Sequence, residues 1–430
     1  MYPRATLVST LLLTLLLIHA SASFAGNANL TLDDALQSAH RQNHDLRLAG
    51  IAIASAHATS VMAAAAPNPM LTLQTVGINP HTGIGAGGLR DKTVDSAVRV
   101  DQLIERGDKR ALRTQNAMQL EVAAQHDLDD VQRQLGIAVS QAYYDVLAAL
   151  EKQTLTRQSA ALYDTTVAAA QKRLKAGDLA SADVARLQID ALRAQNDVVQ
   201  SGADLARARE VLALLLGTRD APASLTPTDP WPTLAFDASL SPQSLDALLA
   251  RRADVLAAQA RVDAAVTARK QALALRTRDV SVGVQFDHYP VSATNTQGSG
   301  NTIGIALQIP LFVRYQYDGE IRLADSLRDS AEQSLARIRD LARSDLARSR
   351  ADAQAAFERI ARYDDGLLAA ARKSVDATEF AFAHGALGVM DVLDARRTWR
   401  ATQLDALAAR ADYAKSLAAW QAATNEKITP

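Results

Sequence analysis

The segments G-D-L-A-S-A-D-V at 177–184 and G-A-L-G-V-M-D-V at 385–392 are one turn written twice, 208 residues apart. Gly177, Leu179, Asp183 and Val184 answer Gly385, Leu387, Asp391 and Val392. Each segment joins two long proline-free stretches. A glycine after the first and an acid at the start of the next are the marks of one helix ending and another beginning. The correspondence extends outward. Asp34, Ala35 and Leu36 answer Asp246, Ala247 and Leu248, and Leu71, Leu73 and Thr75 answer Val280, Val282 and Val284. The offset stays near 208 throughout, which an internal duplication explains. The chain then divides into a first repeat at 26–219, a Pro-rich linker at 220–242 and a second repeat at 243–430. The linker carries five of the 12 prolines.

Each repeat reads as helix, two short strands, long helix and return helix. The first helix is expected over 31–66 or 243–277. Thr31 with Asp34 makes a capping box, and Ser241-Pro242 is a cap followed by Pro at the first helical position. The strands alternate with period two: Val280, Val282, Val284 and Phe286, then Ile303, Ile305, Leu307 and Ile309, face away from Ser, Gly, Gln and Asp. In the first repeat Leu71 and Leu73, then Val94, Val98 and Val100, give a weaker form. Strands of roughly 10 residues suit a tilted membrane barrel or the half-buried sheet of a soluble domain. No proline lies between 81 and 221 or between 311 and 429, so helices over 108–175 and 318–383 can run unbroken for roughly 100 Å each. The return helices carry heptads through Leu187, Ala191, Ala194, Val198, Ser201 and Leu205, and through Ala395, Trp399, Thr402, Ala406, Ala409 and Tyr413.

The chain has 430 residues, 46 basic and 47 acidic side chains and no cysteine. Near-neutral charge excludes the basic footprint of a nucleic-acid binder. Without cysteine there are no disulfides, thiolate metal sites or lipid attachment through a lipobox cysteine, so the protein is expected not to be lipidated. Residues 1–25 read as a signal peptide, with Arg4, an apolar core over 7–18 and the small-residue site Ser23-Phe24-Ala25. No later run of 18 apolar residues is apparent, so no transmembrane helix is expected.

Helix lengths set the architecture. Partners of 36 and 33 residues match the 68 of the first long helix, and 35 with 37 approximate the 66 of the second. Each long helix is thus covered end to end by two half-length neighbours, with the strands at one end and the Gly turn at the other. Four strands cannot close a barrel, and open edges in lipid leave backbone groups unpaired at several kcal/mol each. If the strands enter a membrane, the chain oligomerises, and a homotrimer supplies 12 strands. The expected fold class is mainly α with a small membrane β-barrel part: a trimeric 12-stranded barrel continued by a long helical tunnel.

This plan resembles the TolC family of outer-membrane efflux channels over essentially the whole mature chain. The residues that carry the likeness are L-T-L-D-D-A-L-Q-S-A-H-R-Q-N-H-D-L at 30–46, G-A-L-G-V-M-D-V-L-D-A at 385–395 with its counterpart at 177–184, and Q-L-I-E-R-G-D-K-R-A-L-R at 102–113. The last is similar to the CzcC-type branch serving cobalt, zinc and cadmium efflux, though Gly107-Asp108 stands where Gly-Gly is usual. The resemblance implies a passive homotrimeric conduit in the outer membrane with a large periplasmic part. Its implied partners are outer-membrane lipid, a periplasmic adaptor and an inner-membrane RND pump. The cargo implied is divalent heavy-metal cations, with organic compounds or a type I secreted polypeptide as alternatives. It also implies that Asp391 and Asp394 ring the periplasmic mouth, that Asp183 is a neighbouring gate residue, and that Gly177 and Gly385 turn the chain at the periplasmic tip. The basic gate partner of some members falls at Leu387. Acids in the first turn of a helix also complement its dipole, which is the simpler reading of all three aspartates.

Other signals are weaker. Gly83, Gly85 and Gly88 spell G-x-G-x-x-G, but a strand-like stretch follows instead of a helix, so a flexible loop is expected. His40 and His44, spaced i, i+4, are candidate metal ligands with no third partner evident. Phe312, Tyr315 and Tyr317 fit an interfacial aromatic belt or the packing of the barrel-to-helix joint. Lys109 and Arg110 are expected on a solvated face. No serine, histidine and acid are placed for nucleophilic catalysis, so neither an enzyme nor a cofactor is expected. A periplasmic coiled-coil adaptor is the rival class, against which the duplicated element order argues.

Overall fold

The computed structural model describes residues 28–78, 80, 81, 83, 94–218, 222–236, 242–291 and 300–424. The signal segment at 1–25, most of the glycine-rich loop at 83–88, parts of the linker and Ser241 lie outside these residues. The first repeat opens with a three-residue strand β1 (Ala28–Leu30) and two helices, α1 (Leu32–Gln42) and α2 (His44–Ala64). Strands β2 (Met70–Val76) and β3 (Asp95–Ile104) follow, then the 67-residue α3 (Lys109–Lys175) and the return helix α4 (Ser181–Leu216). The linker contributes β4 (Leu225–Pro227). The second repeat runs α5 (Pro242–Arg251), α6 (Ala253–Ala274), β5 (Val280–Tyr289), β6 (Gly300–Gln308), α7 (Asp318–Arg362), α8 (Leu368–Ala383) and α9 (Val389–Ala423).

Three continuous helices expected from the sequence are broken. The 31–66 helix stops at Asn43, whose ψ of 135° leaves the helical region. The Asn43 side chain accepts from the N–H groups of Asp45 and Leu46 and donates to the Leu215 carbonyl, so one amide caps α2 and ties it to α4. The 243–277 helix breaks at Arg252, also with ψ near 136°. Its buried guanidinium reaches Asp254 at 2.9 Å and Asp345 at 3.1 Å. The 318–383 helix passes through a π-helical turn at Tyr363–Leu367, which separates α7 from α8. At the first cap Thr31 Oγ1 accepts from the Asp34 N–H at 3.1 Å and donates to the Asp34 carboxylate at 2.7 Å.

The strands form one antiparallel sheet in the order β2-β3-β5-β6. Its centre is the pairing of the two repeats: Val100 faces Val284 and Val98 faces Phe286 across β3 and β5. β2 and β6 are left as open edges. Val98, Val284, Ile303 and Ile305 stand on one face, Ile305 82% exposed, and the opposite face is polar or small between its ends, where Met70, Val76 and Leu103 stand.

At the sheet-to-helix joint each long helix starts from a left-handed residue, Asp108 (φ 57°) or Tyr317 (φ 63°). This conformation costs an L-residue roughly 1 kcal/mol and is open to Asp through its short polar side chain. Gly107 precedes it, and a Cβ there would meet Thr277 at 2.7 Å. Lys109 corrects the sequence expectation of a solvated face. It is 9% exposed, and its ammonium donates to the Thr277 carbonyl and to Asp279, both at 2.8 Å. The Asp279 carboxylate also takes the Arg106 N–H, so the start of α3 is pinned to the entry of β5. Arg110 is exposed as expected. Phe312 meets Tyr317 edge-on at 5.2 Å and lies beneath Arg278, while the Tyr315 hydroxyl bonds Glu320 and the Gly319 N–H. Those contacts serve the joint.

Halfway along the rod β1 pairs in parallel with β4, a clasp too short to give a periodic signal. Tyr143 of α3 locks it. The buried hydroxyl donates toward the Leu30 carbonyl and Asp229, each at 3.0 Å, and Asp229 also accepts the Leu32 N–H. Burial, with the Asp229 carboxylate beside it, pushes the Tyr143 hydroxyl up to about 12. Tyr144 stacks on Trp231, and Tyr413 of α9 holds the next stretch of linker through Thr233 and Ala235. The core is a series of seams along the helices, built mainly from Ala, Leu and Val, as a rod demands. The heptad positions Leu187, Ala191, Ala194, Ser201, Leu205 and Leu212 are buried. A fully buried Leu contributes about 1.5–3 kcal/mol.

Helix α2 bears on the expectation of no later apolar span. It is long and apolar enough to cross a membrane, with a mean hydropathy of 1.3 in its most apolar window. Its charges, Asp45 and Arg47, lie near its start, and Leu48, Ile51, Val61 and Met62 are exposed.

Candidate functional site

The two quoted turns lie side by side at the end of the rod away from the sheet. Gly177 (φ 83°) and Gly385 (φ 75°) both adopt the left-handed conformation that ends a helix. The Gly177 N–H donates to the Leu174 carbonyl and the Asp178 N–H to Arg173. In the second repeat Gly385 donates to Phe382 and Ala386 to Ala381. Both turns therefore carry the same pair of C-terminal bonds. Val389 and Leu393 pack into the seam of Tyr163, Leu179, Val184 and Leu187, and Arg173 lies 5.5 Å over the Phe382 ring. The two turns form one apolar-cored tip.

The three aspartates occupy different settings on this tip. Asp391 is exposed and accepts the Gly388 N–H at 3.0 Å, capping α9. Asp394 is exposed one turn further on. Asp183 is half-buried in the first turn of α4 and lies 3.5 Å from Arg186. Leu387, where a basic partner would stand, is exposed in the turn between Gly385 and Gly388. The helix-capping reading of Asp391 is thus realised in one subunit, and its carboxylate keeps an oxygen toward solvent.

Above the tip, α9 carries a ladder of cations that sequence reading missed. Arg396 reaches Glu379 and Thr166, each at 2.7 Å. Arg397 grips both oxygens of Asp190, and Arg400 pairs with Asp197. Asp190 and Asp197 are one heptad apart on α4, so they face α9 together. The signal existed as R-R-T-W-R at 396–400 opposite acids spaced by seven. It was hidden because ion pairs across repeats leave no local pattern.

His40 and His44 do not form the expected pair on one helix. The break at Asn43 falls between them, with His40 in the last turn of α1 and His44 opening α2. Both are exposed. Among the described residues no group of three or more His, Asp or Glu side chains is gathered to hold a metal ion.

Comparison with known proteins places these features. The family model described as outer membrane efflux protein matches residues 35–218 and again 244–426. The chain is 27% identical over 383 residues to the cobalt-zinc-cadmium resistance protein CzcC of Cupriavidus metallidurans, covering 86% of this chain and 84% of that one. It is 24% identical over 372 residues to a protein of Salmonella typhimurium named probable outer membrane lipoprotein SilC, covering 84% and 78%. Among solved structures, CusC superposes with a TM-score of 0.77 at 18% identity, over 92% of both chains. Sequence and fold agree from the first repeat to the second: the chain belongs to the outer membrane efflux protein family.

Proposed function

We propose that this chain is one subunit of a homotrimeric outer-membrane channel, the passive exit duct of a tripartite efflux system for divalent heavy-metal cations. The observation that carries the reading is the sheet: one apolar face, two open edges, and a helical rod leaving it at one end. Open edges in hydrocarbon are too costly to stand, so further copies complete the barrel, and three give 12 strands. The exposed apolar face of α2 then meets a neighbouring subunit. The signal at 1–25, repeats at 26–219 and 243–430 and the linker at 220–242 complete the domain plan. Likeness to CzcC supports the metal cargo. An adaptor and an inner-membrane RND pump are the partners such a duct needs, meeting it at the tip made by Gly177 and Gly385. Three copies of Asp391 and Asp394 around a narrow mouth would favour cations, with Asp183 beside them.

The test is twofold. Outer-membrane fractions should hold heat-resistant trimers, and a strain lacking the gene should lose tolerance to cobalt, zinc or cadmium. A soluble periplasmic monomer overturns the channel. Unchanged metal tolerance with lost tolerance to organic compounds overturns the cargo.

A further inference from the structure

The polar face of the sheet holds four charges per chain among the described residues: Asp95, Arg99, Asp101 and Asp287. Arg99 is the one cation there. It does not extend from the wall. Its Nε and Nη2 donate to Asp101 Oδ1 at 2.9 and 2.7 Å, two residues along the same strand. The pair lies across Gly283 of the neighbouring strand, the register partner of Asp101. A Cβ on Gly283 would stand against Asp101 Oδ1 and 3.1 Å from Arg99 Nε, so the pair occupies the space that any other residue would fill. Next on β5, Asp287 is 8% exposed and accepts from Gln285 Nε2 at 2.6 Å.

We propose that the Arg99–Asp101 pair seated over Gly283 determines the charge selectivity of the barrel lumen. Asp101 is a positioning residue. It holds the guanidinium flat and neutralised against the wall, leaving the Asp95 and Asp287 carboxylates as the net field that passing cations meet. This rests on the reading of the chain as a channel, in which the apolar face meets lipid and the polar face the lumen. Released, Arg99 would project three positive charges into one narrow water-filled ring. At separations near the Debye length the three charges together shift local ion concentrations by a factor of about two, and low salt enlarges the effect.

The decisive variant changes no charge. Gly283→Ala displaces only the flexible ends of Asp101 and Arg99, and Gly283 has no left-handed backbone to strain. In planar bilayers with a salt gradient, G283A should lower the cation-to-anion permeability ratio by roughly twofold at low ionic strength. Adding Arg99→Gln to it should abolish the loss, so that G283A/R99Q matches R99Q alone, both above wild type. Wild-type selectivity in conducting G283A channels overturns the inference and leaves the channel standing. Trimers of the unaltered protein that insert without conducting overturn both. Should G283A fail to assemble, Asp101→Asn against R99Q replaces it: D101N should lower the ratio and R99Q raise it, and equal ratios overturn the inference.

Discussion

Arg397 Nη2 lies 2.8 and 2.6 Å from the two carboxylate oxygens of Asp190, joining the return helices of the two repeats close above the tip. Asp190 is 5% exposed, whereas the arginine is half in solvent. The asymmetry sets the consequences of cutting the pair. Without Arg397 a buried carboxylate keeps, among the described residues, only Arg193 as a cation partner, at 3.9 Å. Arg397→Met should therefore cost roughly 2 kcal/mol, less than a fully buried pair because one partner is wet. Replacing both, as R397M/D190L, should restore part of that loss. Thermal denaturation of the purified protein measures it. A double variant less stable than R397M would show that the pair contributes more than it costs to bury.

The same pair bears on the tip. It holds α4 and α9 at one spacing, so R397M should loosen the tip and raise hydrogen exchange in residues 174–190 and 382–397. Exchange confined to the sheet end would remove the coupling.

At the tip, charge and capping can be separated. Asp391 accepts the Gly388 N–H, which an Asn oxygen can also do. D391N should keep stability within about 0.5 kcal/mol, while D391A should lose about 1 kcal/mol with the cap. In bilayer recordings D391N/D394N should lower cation preference. If selectivity changes only in D391A, the role of Asp391 is structural.

The periodic elements were legible in the sequence because each is long and its signal local. Period two exposed the strands, proline spacing exposed the long helices, and Gly177 and Gly385 marked their ends. The breaks at Asn43 and Arg252 were not legible, because each is stabilised by residues far along the chain: the Leu215 carbonyl for one, Asp345 for the other. The same holds for Lys109, whose partners Thr277 and Asp279 belong to the other repeat. At the tip, the turn glycines and the helix-start acids Asp183 and Asp391 were readable from the duplication. The Arg396–Arg400 ladder was not, since the acids of Arg397 and Arg400 lie 207 and 203 residues away in the other repeat.

The clasp gives a separate prediction. Tyr143→Phe removes donation to the Leu30 carbonyl and Asp229, leaving these acceptors to Thr228 and Leu32, and strips the half-buried Asp229 N–H of its acceptor. It should cost about 1–3 kcal/mol. The loss should appear as faster proteolysis of residues 222–236 before global unfolding. Simultaneous loss of helical signal and linker protection would mean the clasp does not open by itself.

Acid should attack the second repeat at Asp345. Burial alone would raise this carboxyl, but its bonds to Arg252 and Arg348 outweigh that and hold it below the ordinary value of 3.8. A carboxyl depressed in the folded state contributes stability that is full above its unfolded value and is lost as pH falls through the folded one. Asp204, held down to about 2 by Lys152, Gln200 and Arg207, follows the same sign in the first repeat. Both carboxylates are partly open to solvent, so the share of each is discounted for screening. As Asp345 protonates, Arg252, 5% exposed, loses one of its two carboxylate partners, and the break between α5 and α6 loosens. Asp345→Asn should therefore destabilise the protein at pH 7, and its deficit against wild type should shrink below pH about 4. Helical signal followed during denaturant titration at pH 7, 4 and 3 measures the difference. A deficit that stays constant across these pH values would place the stabilisation in packing and not in the Arg252–Asp345 charge pair.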